Sequence, residues 1–294
     1  MNNKIFVSIA SYKDPELEFT VNTLIKTATN INNVRVVIAQ QQEPDKFIKF
    51  DHPAVEVLNY NYVDSQGVCW ARKQINDQYH GEEYFLQIDS HIAMAEHWDD
   101  LIRSQMEWVT TKGSAKAVFA TYPTGYTIDE GQRHFHDPYV PRTLLRNDNV
   151  FYFQAGVGGD NKFNEPIPSP YLNAGCMFGH GSFYHDCSYD SDIYFEGEEL
   201  LNTLKAFTHG YDLYNPSVHI CWHLYKLWDD PRRDLWQLHH NEWDDVQRPV
   251  RHWERHKKAK DKLIKIFSDE LPDQLGTARS IKDYESYIGR PLLK

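Results

Sequence analysis

A short apolar run that ends abruptly in polar residues constrains this chain more than any other feature. Residues 84–88 are predicted to form a buried strand, and Asp89, Ser90 and His91 follow it directly. In an open α/β sheet, ligands bind at the carboxyl ends of strands, because loops there project side chains from a rigid platform. Asp89 and His91 point to the same side if the backbone is extended. The sequence therefore predicts polar chemistry at this strand end.

The pair formed by Asp89 and His91 could bind one divalent ion. Its oxygen and nitrogen donors suit Mn²⁺ or Mg²⁺, with phosphate oxygens completing the shell, whereas a closed zinc site would need more Cys and His nearby. The alternative is that Asp89 caps a turn and His91 is an ordinary half-buried histidine. The triplet alone favours that alternative, because short motifs often arise by chance.

Composition bounds the class of protein without deciding it. The chain has 294 residues, of which 41% are apolar, so it can bury a large core as one large or two small domains. Its net charge of −11 argues against a general nucleic-acid binder, although a local basic patch around residues 248–262 stays open. We expect no nucleic-acid partner.

The cysteines and the start of the chain bear on location. Cys69, Cys176, Cys187 and Cys221 show no paired metal spacing, as is typical of reduced thiols in a cytoplasmic protein. The chain begins with an apolar strand pattern rather than a charged-then-apolar leader, and no apolar run approaches the ~18 residues of a membrane span. We expect a cytoplasmic protein without a membrane anchor.

Strand and helix patterns alternate along the first half of the chain. Strands are predicted at residues 4–10, 34–39, 55–60 and 118–121, and helices at residues 67–76 and 98–109. Asp14 is expected to be the N-cap of a further helix, with Pro15 at its first position. Such alternation predicts an α/β fold with a parallel sheet and right-handed connections. Ser11, Tyr12 and Gln40 then lie at converging strand ends.

Arg72 stands in the predicted helix over residues 67–76. A guanidinium near a diphosphate offers bidentate hydrogen bonds and a permanent charge. The alternative is a surface arginine whose stem packs on Trp70.

Residues 124–170 differ in amino-acid composition from the rest of the chain. They are rich in Gly and Pro, and we expect a long irregular segment that serves as an acceptor or substrate loop. The GVGGD turn at residues 156–160 lacks the Lys and Ser/Thr of a phosphate-binding loop. Farther on, small residues around Gly175 would let a ligand approach the backbone.

Two further groups could contribute to a site. Glu198 and Glu199 precede a helical pattern that ends at Gly210; a helix-dipole role accounts for one glutamate but leaves the second to be explained. His219 and His223 are four apart in a strand predicted over residues 218–224, so either could join Asp89 and His91 as a third metal ligand.

The composition changes near residue 228. We expect a catalytic domain over residues 1–228 and a helical C-terminal extension over residues 229–294, with an amphipathic helix at residues 257–267 and a last short helix beyond it. The extension contains Trp228, Trp236, Trp243 and Trp253, which are expected to pack against the catalytic domain rather than bind carbohydrate.

Several stretches together carry a resemblance to a known family. In chain order they are SIASYKDP, GVCWARKQ, EEYFLQIDSHIAMAEHWDD, NAGCMFG, FEGEEL followed by HGYDLYNP, and HICWHLY, spread over residues 4–226. The sequence resembles the polypeptide α-N-acetylglucosaminyltransferases of protists and bacteria, which are relatives of the animal mucin-type GalNAc transferases. The resemblance implies a GT-A fold, a UDP-sugar donor and a divalent ion, usually Mn²⁺.

The resemblance also implies roles for individual residues. Asp89 and His91 match the Asp-x-His metal motif, and His223 matches the third ligand better than His219 does. Arg72 matches the arginine near the donor diphosphate, and Glu198 matches the acidic residue that faces the sugar. The predicted catalytic residues are Glu198, Glu199 and Asp89, and the predicted donor-binding residues are Ser11, Tyr12, Asp14, Gln40, Arg72, Asp89, Ser90 and Gly175.

The function that follows is a metal-dependent retaining glycosyltransferase, which moves N-acetylglucosamine from UDP-GlcNAc to a hydroxyl of a protein or surface glycan. The metal and Arg72 would stabilise the UDP leaving group. Retention is expected from same-face attack, with the leaving phosphate as base and Glu198 positioning the sugar, rather than from a covalent intermediate.

Alternative functions are a transferase for another UDP-hexose, a metal-dependent phosphohydrolase and an inactive nucleotide-sugar-binding module. The acceptor loop and the C-terminal tail depart from the protein-modifying members. The acceptor, the linkage, the oligomeric state and the choice between Mn²⁺ and Mg²⁺ are therefore left open.

Overall fold

The chain folds around a mixed eight-stranded sheet, seen in a computed structural model that describes residues 4–146, 154–160, 164–225 and 250–293. The described strands are β1 (Ile5–Tyr12), β2 (Val34–Gln42), β3 (Val55–Asn61), β4 (Tyr84–Asp89), β5 (Ile92–Met94), β6 (Ala117–Ala120), β7 (Thr124–Asp129), β8 (Gln132–Phe135), β9 (Pro141–Arg146), β10 (Gln154–Asp160), β11 (Ile167–Pro168), β12 (Cys176–His180), β13 (Asp212–Asn215) and β14 (Cys221–Leu224). The described helices are α1 (Leu17–Thr27), α2 (Val68–Asn76), α3 (Trp98–Thr111), α4 (Phe183–Asp186), α5 (Glu198–Thr208), α6 (His252–Phe267) and α7 (Ile281–Ile288).

The strand order of this sheet is β11-β13-β6-β12-β4-β1-β2-β3. β3, β2, β1 and β4 are parallel, which confirms the predicted α/β arrangement for this half. β12 lies antiparallel between β4 and β6, a feature that the sequence pattern did not predict. Because β12 runs against β4, its beginning meets the end of β4, and the Asp89 amide donates to the Gly175 carbonyl at 3.1 Å.

Alternating side chains divide the sheet into two apolar faces. In β1, Phe6 joins the hydrophobic cluster on one face, while Val7 and Ile9 join the cluster on the other. This follows from the two-residue period of an extended strand. The first cluster includes residues of α2 and α5, and the second includes residues of α1 and α3. The sheet is therefore covered by helices on both faces and provides a rigid base for its strand ends.

The start of α1 differs from the prediction. Asp14 is not its N-cap: the helix begins at Leu17, and Glu16 occupies the N-cap position. The Asp14 carboxylate accepts the Glu16 amide at 2.9 Å through one oxygen, and its other oxygen faces Ser90 and His91. The Asp14 side chain thus accepts an amide just before the helix and also contacts a distant segment, while the helix begins two residues later than predicted.

Residues 124–170 are not the irregular segment that was predicted. Within their described part they form β7 to β11, and residues 156–160 belong to β10 rather than to a turn. β7 and β8 join β5 and β14 in a second sheet of order β5-β14-β7-β8, and β9 pairs with β10. The strands are short and closely punctuated by Gly and Pro, so their composition is similar to that of a loop. A role in acceptor binding stays a prediction.

The C-terminal helices contribute to the same hydrophobic cluster as α5. Leu263 of α6 and Tyr284 of α7 are buried in it, and the Tyr284 ring lies 5.3 Å from the Phe207 ring. Trp253 is 52% exposed and does not pack as expected. The proposed boundary after residue 228, together with Trp228, Trp236 and Trp243, lies outside the described residues.

Two further observations concern the cysteines and the helices. All four cysteines are free, and all four are also buried, which was not predicted. In the described parts of the chain, no helix combines the length and the apolar character needed to cross a membrane.

Gly67, at the start of α2, is required by backbone geometry. Its φ is +110°, and a Cβ there would lie 2.4 Å from the Tyr194 carbonyl oxygen. Gly81 has a φ of +91° but has nothing within 4 Å of its Cβ position. We expect Gly67→Ala to lower the free energy of unfolding by about 3 kcal/mol or more, since overlap adds to backbone strain. Gly81→Ala should cost about 1 kcal/mol through strain alone.

Urea denaturation of the wild-type protein and both variants measures this difference. Equal losses for Gly67→Ala and Gly81→Ala would contradict the overlap at Tyr194.

Candidate active site

The predicted polar residues converge where the carboxyl ends of β1 and β4 meet the start of β12. Ala10 of β1 pairs in register with Asp89 of β4, which places Ser11 just beyond it. His223 comes from β14 in the second sheet, where it pairs with Ile92 of β5. Since β5 follows β4 after a tight turn, the two sheets meet at this point. The site is thus built from strand ends, as expected for an α/β sheet.

Asp89, His91 and His223 form a group whose potential ligand atoms all lie within 4.8 Å of one another. His223 Nε2 is 3.4 Å from Asp89 Oδ2, and the two histidine rings are 4.6 Å apart at their centroids. His219 is not in this group. β14 begins only at Cys221, so the predicted strand alternation does not extend to His219, whose ring instead lies 4.3 Å from the ring of Trp222.

The charges in the group are set by burial and by close partners. Burial would raise the pKa of Asp89, but the hydrogen bond with His223 and the charge of Arg72 hold that pKa well below its usual value. Burial would lower the pKa of His91, but Asp14 raises it to about 9. Burial lowers the pKa of His223. Asp89 is therefore an anion at neutral pH, and the two histidines differ in how readily they bind a proton.

A hard divalent cation fits this donor set. One carboxylate and two imidazoles converge, and Asp89 directs Oδ1 to Arg72 and Oδ2 to the histidine side. Oxygen and imidazole ligands suit Mn²⁺, with open positions for phosphate oxygens. A cation that binds at His91 must displace the proton held there, because a metal ligand has to be deprotonated.

Asp14 lies behind the group and is buried. Its Oδ2 is 2.7 Å from His91 Nδ1 and accepts the Ser90 hydroxyl at 2.6 Å. Asp14 and Ser90 were predicted to contact the donor, and both side chains are engaged with each other here.

Arg72 of α2 is 3% exposed and is not the surface arginine of the alternative interpretation. It forms an ion pair with Glu198, the first residue of α5, and donates to Asp89 Oδ1 at 2.9 Å. Burial disfavours its charge, but Glu198 and the neighbouring Asp89 and Tyr189 together outweigh that effect and raise the pKa of Arg72 above its usual value. Trp70, its suggested packing partner, instead lies against the Tyr60 ring.

Glu199 has a separate partner. Its Oε1 accepts the Ala174 amide at 3.0 Å, while the Ala174 carbonyl accepts from Arg72 at 3.2 Å and from Gln87 at 2.9 Å. Burial raises the pKa of Glu199 to about 7, and the charge of Glu198 adds to this effect. Glu198 therefore pairs with Arg72, whereas Glu199 accepts the Ala174 amide. The roles of Ala174 and Gln87 were missed, since no motif marks an alanine or a mid-strand glutamine.

Gly175 is packed against the group formed by Asp89, His91 and His223. A Cβ at this position would lie 2.8 Å from Asp89 Oδ2. A small residue was predicted here so that a ligand could approach the backbone, and the group that approaches in the structure is the Asp89 carboxylate.

The remaining predicted donor-binding residues lie at the ends of β1 and β2. Ser11 is buried, and Tyr12 is half-buried with its ring 6.5 Å from the Tyr62 ring. The Gln40 amide is hydrogen-bonded to both backbone groups of Ile48 and to Asn59, at distances between 2.8 and 3.1 Å. These contacts favour a structural role for Gln40.

The fold is that of GT-A glycosyltransferases. The crystal structure of GalNAc-T7 with UDP, GalNAc and Mn²⁺ is similar with a TM-score of 0.64 and 15% sequence identity, covering 97% of this chain and 56% of that one. The chain therefore spans little more than half of that protein. Staphylococcus aureus TarS in complex with UDP-GlcNAc has a TM-score of 0.49 and 14% identity, over 92% of this chain and 73% of that one. No curated protein matches the sequence.

The family follows from the sequence match. The profile described as "Glycosyltransferase (GlcNAc)" matches residues 4–48 and 44–289, nearly the whole chain. The protein belongs to this glycosyltransferase family, and the resemblance noted from its motifs is confirmed.

The raised pKa of Glu199 predicts a pH dependence of stability. Its pKa is raised from 4.5 to about 7 in the folded protein, so between these pH values the unfolded chain loses a proton that the native state keeps. Stability contributed by this carboxyl is present below pH 4.5 and falls as the pH rises toward 7. In the wild-type protein this carboxyl should lower the free energy of unfolding by an amount on the order of 1–3 kcal/mol between pH 4.5 and 8. We expect Glu199→Gln to lack this decrease.

Urea denaturation at pH 4.5, 6 and 8 measures this effect. Glu270→Gln, on the exposed surface, is the control and should keep the wild-type profile. Parallel profiles for wild type and Glu199→Gln would show that the carboxyl is not perturbed.

Proposed function

We propose that this protein transfers N-acetylglucosamine from UDP-GlcNAc to an acceptor hydroxyl in a reaction that requires a divalent cation. The observation that carries the proposal is the convergence of Asp89, His91 and His223 beside a buried arginine, in a member of the GlcNAc glycosyltransferase family. The acceptor that we propose is a hydroxyl of a protein or surface glycan. A cytoplasmic location also remains our proposal, based on the free buried cysteines.

Asp89, His91 and His223 would hold the cation. The similar GalNAc-T7 structure contains UDP and Mn²⁺, which supports Mn²⁺ as the ion, and imidazole ligands favour Mn²⁺ over Mg²⁺. When bound, the ion would supply positive charge next to the donor diphosphate.

Arg72 would stabilise the leaving group. Its guanidinium donates to Asp89 and is fixed by Glu198, so its charge is oriented before the donor binds. Such preorganised charge lowers the energy of the negative charge that develops on the departing diphosphate. We assign Glu198 mainly to holding Arg72, and we propose that Glu199 and the Ala174 peptide border the sugar.

We propose a retaining mechanism by same-face attack of the acceptor, with the leaving phosphate as base. The carboxylates of Glu198 and Glu199 are each hydrogen-bonded, to Arg72 and to the Ala174 amide. A nucleophilic carboxylate would have to break such a bond to reach the sugar, which is why we do not favour a covalent intermediate.

A transferase for another UDP-hexose would use the same groups and would differ only in the sugar. A phosphohydrolase would use the metal group to activate water, and an inactive binding module would bind the donor without turnover. Family membership favours the transferase.

Substitution of the metal-binding group tests the ligand set. We expect Asp89→Asn, His91→Ala and His223→Ala each to reduce Mn²⁺-dependent UDP release at least about 100-fold, because the first removes the negative charge at the ion and the other two each remove a donor. His219→Ala is the matched control and should change the rate less than about threefold. UDP release from UDP-GlcNAc is measured across a Mn²⁺ titration, with thermal melting to verify folding. Loss of activity in His219→Ala with retention in His223→Ala would reverse the assignment.

Ligand-dependent melting tests the donor. A ligand that binds only the folded state at 100 times its dissociation constant adds about 2.7 kcal/mol of stability. We expect UDP-GlcNAc with Mn²⁺ to raise the melting temperature more than UDP-glucose or UDP-galactose does, and to have little effect without the metal.

Product analysis of the same mixtures separates the functional classes. Sugar transfer to added acceptors supports the transferase, whereas release of inorganic phosphate supports a phosphohydrolase. No shift with any UDP-sugar in the presence of Mn²⁺ would refute the proposed donor.

A further inference from the structure

We propose that Asp14 is a positioning residue, which orients the ring of His91 so that its Nε2 is available to the cation. The inference rests on the proposed metal-dependent function, and it assigns Asp14 a role other than direct contact with the donor. It follows from a pair of side chains that are 77 residues apart in sequence and in contact in the fold.

The Asp14 carboxylate is fully engaged within the protein. Oδ1 accepts the Glu16 amide at 2.9 Å, and Oδ2 lies 2.7 Å from His91 Nδ1 and accepts the Ser90 hydroxyl at 2.6 Å. Asp14 is only 6% exposed. A buried carboxylate with both oxygens in use has little capacity left to bind ribose or base.

The backbone on both sides of His91 is held by the same N-terminal segment. The Thr20 hydroxyl of α1 donates to the Ser90 carbonyl at 2.8 Å and accepts the Ile92 amide at 2.9 Å. Asp14 thus fixes the side chain of His91 while Thr20 fixes its main chain. Residues 14–20 therefore restrain both the side chain and the main chain of His91.

The hydrogen bond to Nδ1 decides which ring nitrogen can bind a cation. An Nδ1–H that donates to a carboxylate leaves the Nε2 lone pair free and makes it more basic. His223 differs, because its Nδ1 is buried and has no hydrogen-bond partner within the described residues. Of the two histidines, His91 is therefore the ligand oriented in advance. Loss of such a carboxylate typically reduces metal affinity about 10–100-fold.

Direct titration of Mn²⁺ into the full chain, without nucleotide, tests the inference. We expect Asp14→Asn to bind Mn²⁺ about 10–100 times more weakly than wild type, because an amide can donate to Nδ1 and so favour the tautomer with a protonated Nε2. Glu16→Gln is the matched control: it neutralises a buried carboxylate two residues away that bonds to Arg133 and Tyr126, not to His91. We expect its Mn²⁺ affinity to stay within about threefold of wild type.

The binding of UDP at a Mn²⁺ concentration that saturates both proteins provides the second measurement. With the ion bound, Asp14→Asn should bind UDP like wild type. If Asp14→Asn keeps its Mn²⁺ affinity but loses UDP affinity, Asp14 is a donor contact and the inference is wrong. If the wild-type protein itself binds no Mn²⁺, the proposed metal-dependent function fails and this inference fails with it, whereas equal Mn²⁺ affinities of wild type and Asp14→Asn overturn the inference alone.

Melting temperatures show whether each variant is folded. Should Asp14→Asn not fold, Asp14→Glu replaces it, since it keeps the charge but moves the carboxylate by one methylene. We expect it also to weaken Mn²⁺ binding, and wild-type affinity in a folded Asp14→Glu protein would count against the inference.

Discussion

The buried guanidinium of Arg72 is the interaction on which the site depends. It joins α2 to the end of β4 through Asp89, to the start of α5 through Glu198 and to the segment before β12 through the Ala174 carbonyl. A buried charge is tolerated only where it is paired and hydrogen-bonded, and removal of one partner of such a pair typically costs about 3–5 kcal/mol. The segments that meet at Arg72 therefore have to stay together in the folded protein, which keeps the Asp89 carboxylate in place.

The antiparallel insertion of β12 gives this network its geometry. Because β12 runs against β4, Gly175 lies against the Asp89 carboxylate. The Ala174 carbonyl accepts hydrogen bonds from Arg72 and Gln87, and the Ala174 amide donates one to Glu199. On the opposite side, Asp14 holds His91. Asp89 and His91 are thus both restrained by groups outside their own strand end. If these side chains bind a cation, as we propose, they need little rearrangement to do so, which is the advantage of a preorganised site.

Much of the fold could be predicted from periodicity. The strands at β1 to β4 and the helices α2, α3 and α5 all appear close to their predicted positions, since apolar spacing and turn residues specify them locally. The prediction failed over residues 124–170, where short strands with many Gly and Pro have the composition of a loop. Near Asp14 the helix begins at Leu17, two residues later than predicted, because a sequence pattern specifies the end of a helix less sharply than its interior.

The sequence by itself determined the class of protein, the alternation of strands and helices, and the nature of the chemical groups at the site. Spacing within one segment already placed Asp89 next to His91, and the motifs together indicated a GlcNAc glycosyltransferase. Only the tertiary structure decided that His223, rather than His219, completes the group, that Arg72 is buried between two carboxylates, and that Asp14 supports His91. The reason is physical: these contacts join residues far apart in the chain, and their geometry depends on sheet pairing and burial, which no local pattern encodes.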